Sequence, residues 1–224
     1  MHRASSATTY FQRQMLHQIM HQTQLQNRVI KPCDVFINHR SIDTKHTVAT
    51  LLYDHLSRLN LHPFLDNKNM KPGDKLFEKI NAAIRECKVG VTVFSPTYCD
   101  SYFCLHELAL IMESKKKVIP IFCDIKPSQL RVVDNGKCPK KEIRRFSLAL
   151  EEAKYTVGLT FDSLKGNWSD VVTSAADIVI NSLKEMEAEE RRRQLLRRNQ
   201  PLPVQQYDTS SYNYNNEGSN KLQC

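Results

Sequence analysis

The segment Tyr98-Cys-Asp-Ser-Tyr-Phe-Cys-Leu-His-Glu-Leu-Ala-Leu-Ile-Met-Glu-Ser114 sets one carboxylate, Glu107, among apolar neighbours. At helical spacing Phe103, Cys104, Leu110 and Ile111 share its face. A carboxylate there is desolvated unless paired, so Glu107 is either an ion-pair partner or a functional group, and the pattern alone does not choose. Other chemistries fail on spacing. G-x-x-x-x-G-K-[ST], G-x-G-x-x-G and G-x-S-x-G are all missing, which removes a P-loop ATPase, a Rossmann dinucleotide fingerprint and a hydrolase nucleophile elbow. Cys99 and Cys104, and Cys33 near His39, lack zinc spacing and read as core or edge thiols, so no metal site is expected. Asp34 opens a strand rather than closing one and Asp66 has no acidic neighbour, so a phosphorylated receiver domain is not indicated.

Strands and helices alternate around this segment. Cys33 to Asn38 suits a strand, and Val48, Leu51, Leu52, Leu56 and Leu59 give helical spacing over 44–60, with Asp43 or Thr44 as its cap. His62 to Asp66 reads as a short edge strand because of Pro63, followed by a loop over 67–73. Asp74 is expected to cap a second helix through Ile84, Lys88 to Phe94 to form a buried strand, and Tyr98 to Ser114 a third helix. Val118 to Phe122 makes a fourth strand. Residues 127–165 parse only as helical pieces broken at Asn135-Gly136 and Gly158, and a last helix covers 170–190. The alternation predicts an α/β three-layer sandwich of flavodoxin-like type, a central parallel sheet with helices on both faces. Ligands of such sheets bind beyond the carboxyl ends of the strands, where the loops after Asn38, Asp66 and Phe94 would meet.

The chain has 224 residues, 41% hydrophobic and 25% charged, which suits a globular body with tails. No apolar run is long enough to span a membrane, and the start lacks a secretory h-region. Seven cysteines, an odd number without framework spacing, favour a reducing, intracellular home. The net charge of +8 favours phosphate, nucleic acid or acidic surfaces as partners only weakly. Residues 1–30 carry arginines, no acids and much Gln, His and Ser; they read as a disordered segment, with a transit peptide as the alternative. Residues 31–185 form the domain, and 186–224 a charged helix end and a disordered polar tail. RRRQLLRR at 191–198 reads as basic charge suited to a helix C-terminus rather than as a nuclear or nucleic-acid signal.

Residues 32–131 resemble a Toll/interleukin-1 receptor (TIR) domain of the plant type. Plant TIR domains follow their first strand with a Phe-Arg-Gly-Glu-Asp-Thr-Arg-like loop, where this chain has Asn38-His-Arg-Ser-Ile-Asp-Thr-Lys45. An aromatic-x-Asp strand and an x-Gly loop match Phe64-Leu-Asp66 and Met70-Lys-Pro-Gly73. Asn81-Ala-Ala-Ile84, Val93-Phe-Ser-Pro-Thr-Tyr98, Phe103-Cys-Leu-His-Glu-Leu108 and Val118-Ile-Pro-Ile-Phe122 follow in the family's order. The chain shows neither a nucleotide-binding switch domain nor leucine-rich repeats, and so is similar to the TIR-only proteins of plants.

The resemblance implies an NAD⁺ glycohydrolase or cyclase of plant immune and cell-death signalling, releasing nicotinamide and ADP-ribose or a cyclic ADP-ribose. The alternative is a non-catalytic scaffold for TIR–TIR contact. The family's catalytic acid falls on Glu107, and its substrate-binding segment on His39, Arg40, Ser41, Ile42, Asp43, Thr44 and Lys45. Phe103 stands where the family has Trp and keeps an aromatic face without the indole donor. Ser41-Ile42 replaces Gly-Glu, which narrows the backbone's approach and removes an acid. Arg40 would meet phosphate or ribose. No cofactor is implied, since NAD⁺ is the substrate. Self-association is implied through Asp54 and His55 with the last helix, and through the 67–73 loop reaching a neighbour. Other TIR proteins are candidate partners, nucleic acid is not indicated beyond the basic charge, and no membrane is involved. The expected location is cytoplasmic, with the nucleus left open.

Overall fold

The computed structural model describes residues 33–198 except 45, 135 and 137. The expectations for 1–30, for Lys45 and for the tail beyond 198 lie outside the described residues.

Five strands, β1 (Val35–His39), β2 (Pro63–Phe64), β3 (Val89–Phe94), β4 (Lys117–Cys123) and β5 (Leu159–Phe161), form one parallel sheet in the order β2-β1-β3-β4-β5. Seven α-helices are described: α1 (Ser41–Thr44), α2 (Val48–Arg58), α3 (Asp66–Asn69), α4 (Leu76–Glu86), α5 (Tyr102–Glu113), α6 (Lys140–Lys154) and α7 (Trp168–Arg198). Every residue of β1 and β3 is buried, as a parallel sheet covered on both faces requires. Val35 and Ile37 point to one side, into a core with Val48, Leu52 and Leu56 of α2 and Val172, Ala175 and Val179 of α7. Phe36 points to the other, against Ile80 and Ile84 of α4 and Ile111 of α5. On that same side Phe94 and Phe122 stack at 5.3 Å and pack with Leu105 and Leu108 of α5 and Phe146 and Leu150 of α6. The three-layer α/β sandwich is thus the one the alternation predicts.

Several elements differ from the sequence reading. The first helix starts at Val48, and neither Asp43 nor Thr44 caps it. Asp43 is drawn instead to the exit of β3, and Thr44 closes the separate turn α1 by donating to the Arg40 carbonyl. Asp74 does not cap α4; its carboxylate accepts from the Lys71 amide and closes the preceding turn. The 67–73 loop is in part helical, since α3 begins at Asp66. The third helix is two pieces, a 3₁₀ turn at Tyr98–Asp100 and then α5, whose N-cap Ser101 accepts from the Cys104 amide. β5 escaped detection: three residues long, it is defined by pairing with Ile121, Phe122 and Cys123 across a long sequence separation. The last helix begins earlier, at Trp168, whose ring packs edge-on against Phe161 at 4.6 Å.

Contacts group the chain into one compact unit ending at Met186 and a second from Glu187 onward. In the second, the described residues are helical and exposed, Arg193 pairs with Glu189 at 3.2 Å, and Arg197 and Arg198 lie in the last turn.

Gly90 lets α5 sit close to β3. A Cβ there would lie 2.8 Å from Cγ2 of Ile111, a branch atom with little room to move. Gly90→Ala should therefore cost about 1–3 kcal/mol. A lowered urea midpoint at unchanged m-value is the expected result; an unchanged midpoint would show that α5 has slack against the sheet.

Candidate active site

The sheet order reverses at β1 and β3, so the loops leaving these strands diverge and open a crevice at their carboxyl ends. His39 ends β1, buried rather than exposed in a loop. The Thr44 hydroxyl donates to the Arg40 carbonyl at 3.1 Å and accepts from His39 Nδ1 at 2.9 Å. That turns His39 Nε2 toward Asp66 Oδ1, 3.4 Å away at the start of α3, just beyond β2. Asp66 Oδ1 also accepts from the Asn67 amide at 2.6 Å.

Glu107 projects from the second turn of α5 toward the same place. Protein atoms crowd around it while part of its surface stays open, as for a group lining a recess. Among the described residues no hydrogen-bond donor or cation pairs with it. Burial, with the Asp66 carboxylate second, pushes its carboxyl from 4.5 up to about 8. Of the two readings open from sequence, the ion-pair partner is therefore excluded within the described chain.

A buried clasp fixes this helix. Asn38 Nδ2 donates to the Tyr98 hydroxyl at 2.8 Å and to the Cys104 carbonyl at 3.0 Å, and the Tyr98 hydroxyl donates to the same carbonyl at 3.0 Å. The Cys104 thiol reaches the His39 carbonyl at 3.4 Å. The first turn of α5 is thereby tied to the end of β1, three residues before Glu107.

The predicted 39–45 segment divides by role. Arg40 is half-buried, its charge acts on Asp43 and Cys104, and its Nε is buried without a hydrogen-bond partner among the described residues. A buried N–H left unpaired is costly, so this donor suits an incoming oxygen. Asp43 is already occupied: its Oδ2 accepts from Ser95 Oγ at 2.6 Å, Thr97 Oγ1 at 2.7 Å and the Thr97 amide at 3.3 Å. Burial alone would raise its carboxyl, but these bonds hold it below its ordinary value. His39 and Thr44 are buried and Asp43 is a staple between α1 and β3, so these three shape the recess from behind. Ser41 is half-buried, and Ile42 is 81% exposed. Phe103, 44% exposed, lies one turn before Glu107 and stacks on Phe77 of α4 at 5.4 Å. Asp54 and His55 are half-buried on α2, away from this constellation in their contacts; Asp54 pairs with Lys68 of α3 at 3.4 Å.

Sequence reasoning missed Asn38, Tyr98, Ser95 and Thr97, and it read Asp66 as isolated. A polar Asn inside an otherwise apolar strand was the available signal for Asn38; nothing local marks the others. Among the described residues no His, Cys, Asp and Glu group could hold a metal ion, and the six described cysteines are unpaired. A cavity of about 830 Å³ opens elsewhere, at the carboxyl ends of β4 and β5. Its acids are spent on local turns, Asp124 accepting from the Ser163 amide and Asp162 from those of Leu164 and Lys165. Its size therefore does not make it the reactive site.

The TIR domain family model matches residues 33–193. The chain belongs to the TIR family. This TIR protein is 52% identical over 167 residues to a Brachypodium distachyon protein named probable 2' cyclic ADP-D-ribose synthase BdTIR, covering 73% of this chain and 75% of the relative. It is 38% identical over 102 residues to TMV resistance protein N of Nicotiana glutinosa, covering 44% of this chain but 9% of that relative. Among solved structures, the TIR domains of the activated Roq1 resistosome superpose with a TM-score of 0.58 at 27% identity, covering 66% of this chain and 99% of that one. No described helix of this TIR protein is long and apolar enough to cross a membrane.

The raised carboxyl has a thermodynamic consequence. Between 4.5 and about 8 the folded TIR domain holds a proton on Glu107 that the unfolded chain has released, so this group's contribution falls as pH rises through that window. Glu107→Gln removes the penalty and should gain on the order of 1 kcal/mol or more by about pH 9, with little difference near pH 4. Identical melting of both proteins at both ends would show that ionised Glu107 costs the fold nothing.

Proposed function

We propose that this protein cleaves the nicotinamide–ribose bond of NAD⁺, giving nicotinamide and ADP-ribose or a cyclic ADP-ribose, as a signal in plant immunity and cell death. The observation that carries the reading is Glu107, a carboxylate with no counter-cation among the described residues, lining a recess beside an exposed aromatic ring. The name of the 52% identical Brachypodium distachyon relative supports it. Nicotinamide in NAD⁺ is a pyridinium and departs neutral, so bond cleavage needs no strong general acid. Positive charge develops at the ribose carbon instead, and a carboxylate there grips the ribose hydroxyls and stabilises that charge. Water then adds at this carbon, giving ADP-ribose, or a nucleophile of the same molecule closes the ring, in either case with release of a proton. Burial favours the protonated form of Glu107, and the substrate's pyridinium supplies the positive charge that favours the anion. Arg40 offers its Nε to ribose or phosphate oxygen, Phe103 faces the nicotinamide ring, and Ser41 and Ile42 belong to the loop around the dinucleotide. Lys45, outside the described residues, is assigned a substrate contact by the family resemblance alone. NAD⁺ enters as substrate, and no cofactor takes part.

Self-association belongs to the same reading. Asp54 and His55 on α2 and the segment from α3 to Gly73 would meet neighbouring protomers, and the Roq1 match comes from an assembly of TIR domains. We place the protein in the cytoplasm, acting without a membrane.

Purified protein incubated with NAD⁺, with products separated by chromatography, should release nicotinamide, and Glu107→Ala should lower the rate by roughly 10²-fold or more. Equal turnover by both proteins would remove Glu107 from the chemistry; no turnover by either, even when concentrated, would favour the scaffold. In pH profiles kcat/KM should rise with pH through a limb near 8, set by the free protein, while the limb in kcat lies at lower pH because bound pyridinium favours the carboxylate. Coincident limbs would contradict that coupling. Specific activity should rise with protein concentration, and His55→Ala should move this curve to higher concentration; activity flat on dilution would mean that one protomer suffices.

A further inference from the structure

Phe77 at the start of α4 has no part in the roles assigned so far, yet its surroundings are highly organised. Its ring stacks on Phe103 with centroids 5.4 Å apart and planes 29° apart, and it meets His106 edge-on at 5.4 Å and 83°. His106 is itself fixed at both nitrogens, close to Arg145 Nη1 through Nδ1 at 3.3 Å and to Asn81 Oδ1 through Nε2 at 3.2 Å. A guanidinium cannot accept, so Nδ1 is the acceptor and the Nε2 proton goes to Asn81. Burial, and then the Arg145 charge, keep this imidazole from gaining a second proton easily, despite Glu142 and Glu113 nearby. Arg145 is anchored in turn by Glu113 of α5 and Glu142 of α6. Tyr102 closes the group, stacked on the His106 ring at 6.0 Å and edge-on to Phe103 at 6.0 Å.

Phe77 is thus braced directly by His106 of α5, which is held in turn by Asn81 of α4 and Arg145 of α6, while it and Phe103 remain 43% and 44% exposed. A half-exposed aromatic pair held this firmly is unlike a scattered surface ring, whose rotamer is free. Phe103 lies one helical turn from Glu107, so the orientation of its ring fixes the aromatic face available at that recess.

We propose that Phe77 is a positioning residue for NAD⁺ cleavage: braced by His106, it holds the Phe103 ring in one orientation, against which the substrate's pyridinium stacks. The inference rests on the NAD⁺ reading above and adds a residue to it. Stacking and cation–π attraction act on the bound pyridinium and fade as nicotinamide leaves neutral. The contribution is thus to binding of the ground state and appears mainly in KM.

The test is a double-mutant cycle in the full chain with NAD⁺, comparing the natural protein, Phe77→Ala, Phe103→Ala and the double variant, with thermal melts of each. Phe77→Ala should raise KM about 3- to 10-fold with a smaller change in kcat. Phe77→Tyr should restore it, whereas Phe77→Leu, which refills the space without a ring and guards against misfolding, should not. In the Phe103→Ala background, Phe77→Ala should add almost nothing, because its effect passes through that ring. Full rescue by Phe77→Leu, an unchanged KM in Phe77→Ala, or equal effects in both backgrounds would each overturn the role. The cleavage reading is tested separately in the same assay: if the natural protein does not release nicotinamide, both fall, and if it does while Phe77→Ala matches it, only the positioning role falls.

Discussion

Two hydrogen bonds converging on the Cys104 carbonyl, from Asn38 and Tyr98, decide where the first turns of α5 lie. Helix packing against a sheet leaves some freedom of slide and rotation, because apolar contacts are non-directional. A buried carbonyl with two donors is directional, and losing either leaves polar groups unpaired in the interior. The clasp sets the first turn of α5 against the end of β1, and Gly90 permits the closeness of the helix further along. Glu107 inherits its place from both.

That place makes the carboxylate costly. Crowded by protein atoms and facing the charge of Asp66, Glu107 holds a proton where an exposed glutamate would not. Nothing in the described chain relieves this; a cation from outside would. The loop opposite is built in the complementary sense. Asp43 spends its charge on Ser95 and Thr97 to join α1 to β3, and Arg40 keeps a buried donor unspent. Acid on the helix, base on the loop and a braced aromatic pair between elements is an arrangement suited to a ligand carrying a cationic ring and anionic phosphates.

The departures from the plant TIR pattern fall where the structure can absorb them. Ile42 stands in place of an acid and its side chain is 81% exposed, so α1 owes nothing to burial of that side chain. Phe103 in place of tryptophan lacks the indole donor, and its ring stacks on Phe77.

The sequence by itself determined the α/β class, the parallel sheet and the carboxylate, because these depend on local periodicity and on one charge breaking an apolar pattern. Edge placement of the Pro63 strand was equally legible, proline having no N–H for a central ladder. β5, the division of the third helix at Ser101, and the true work of Asp43 and Asp74 were not, since each is settled by which partner the folded chain brings near. The same holds for Asp66, solitary in the chain yet facing His39 and acting on Glu107 across the strand ends. Whether Glu107 is an ion-pair partner or a free acid was undecidable from its helix alone. Only the tertiary structure, by bringing a second carboxylate to it and no cation among the described residues, decided the question, because electrostatic free energy depends on distance and burial rather than on order in the chain.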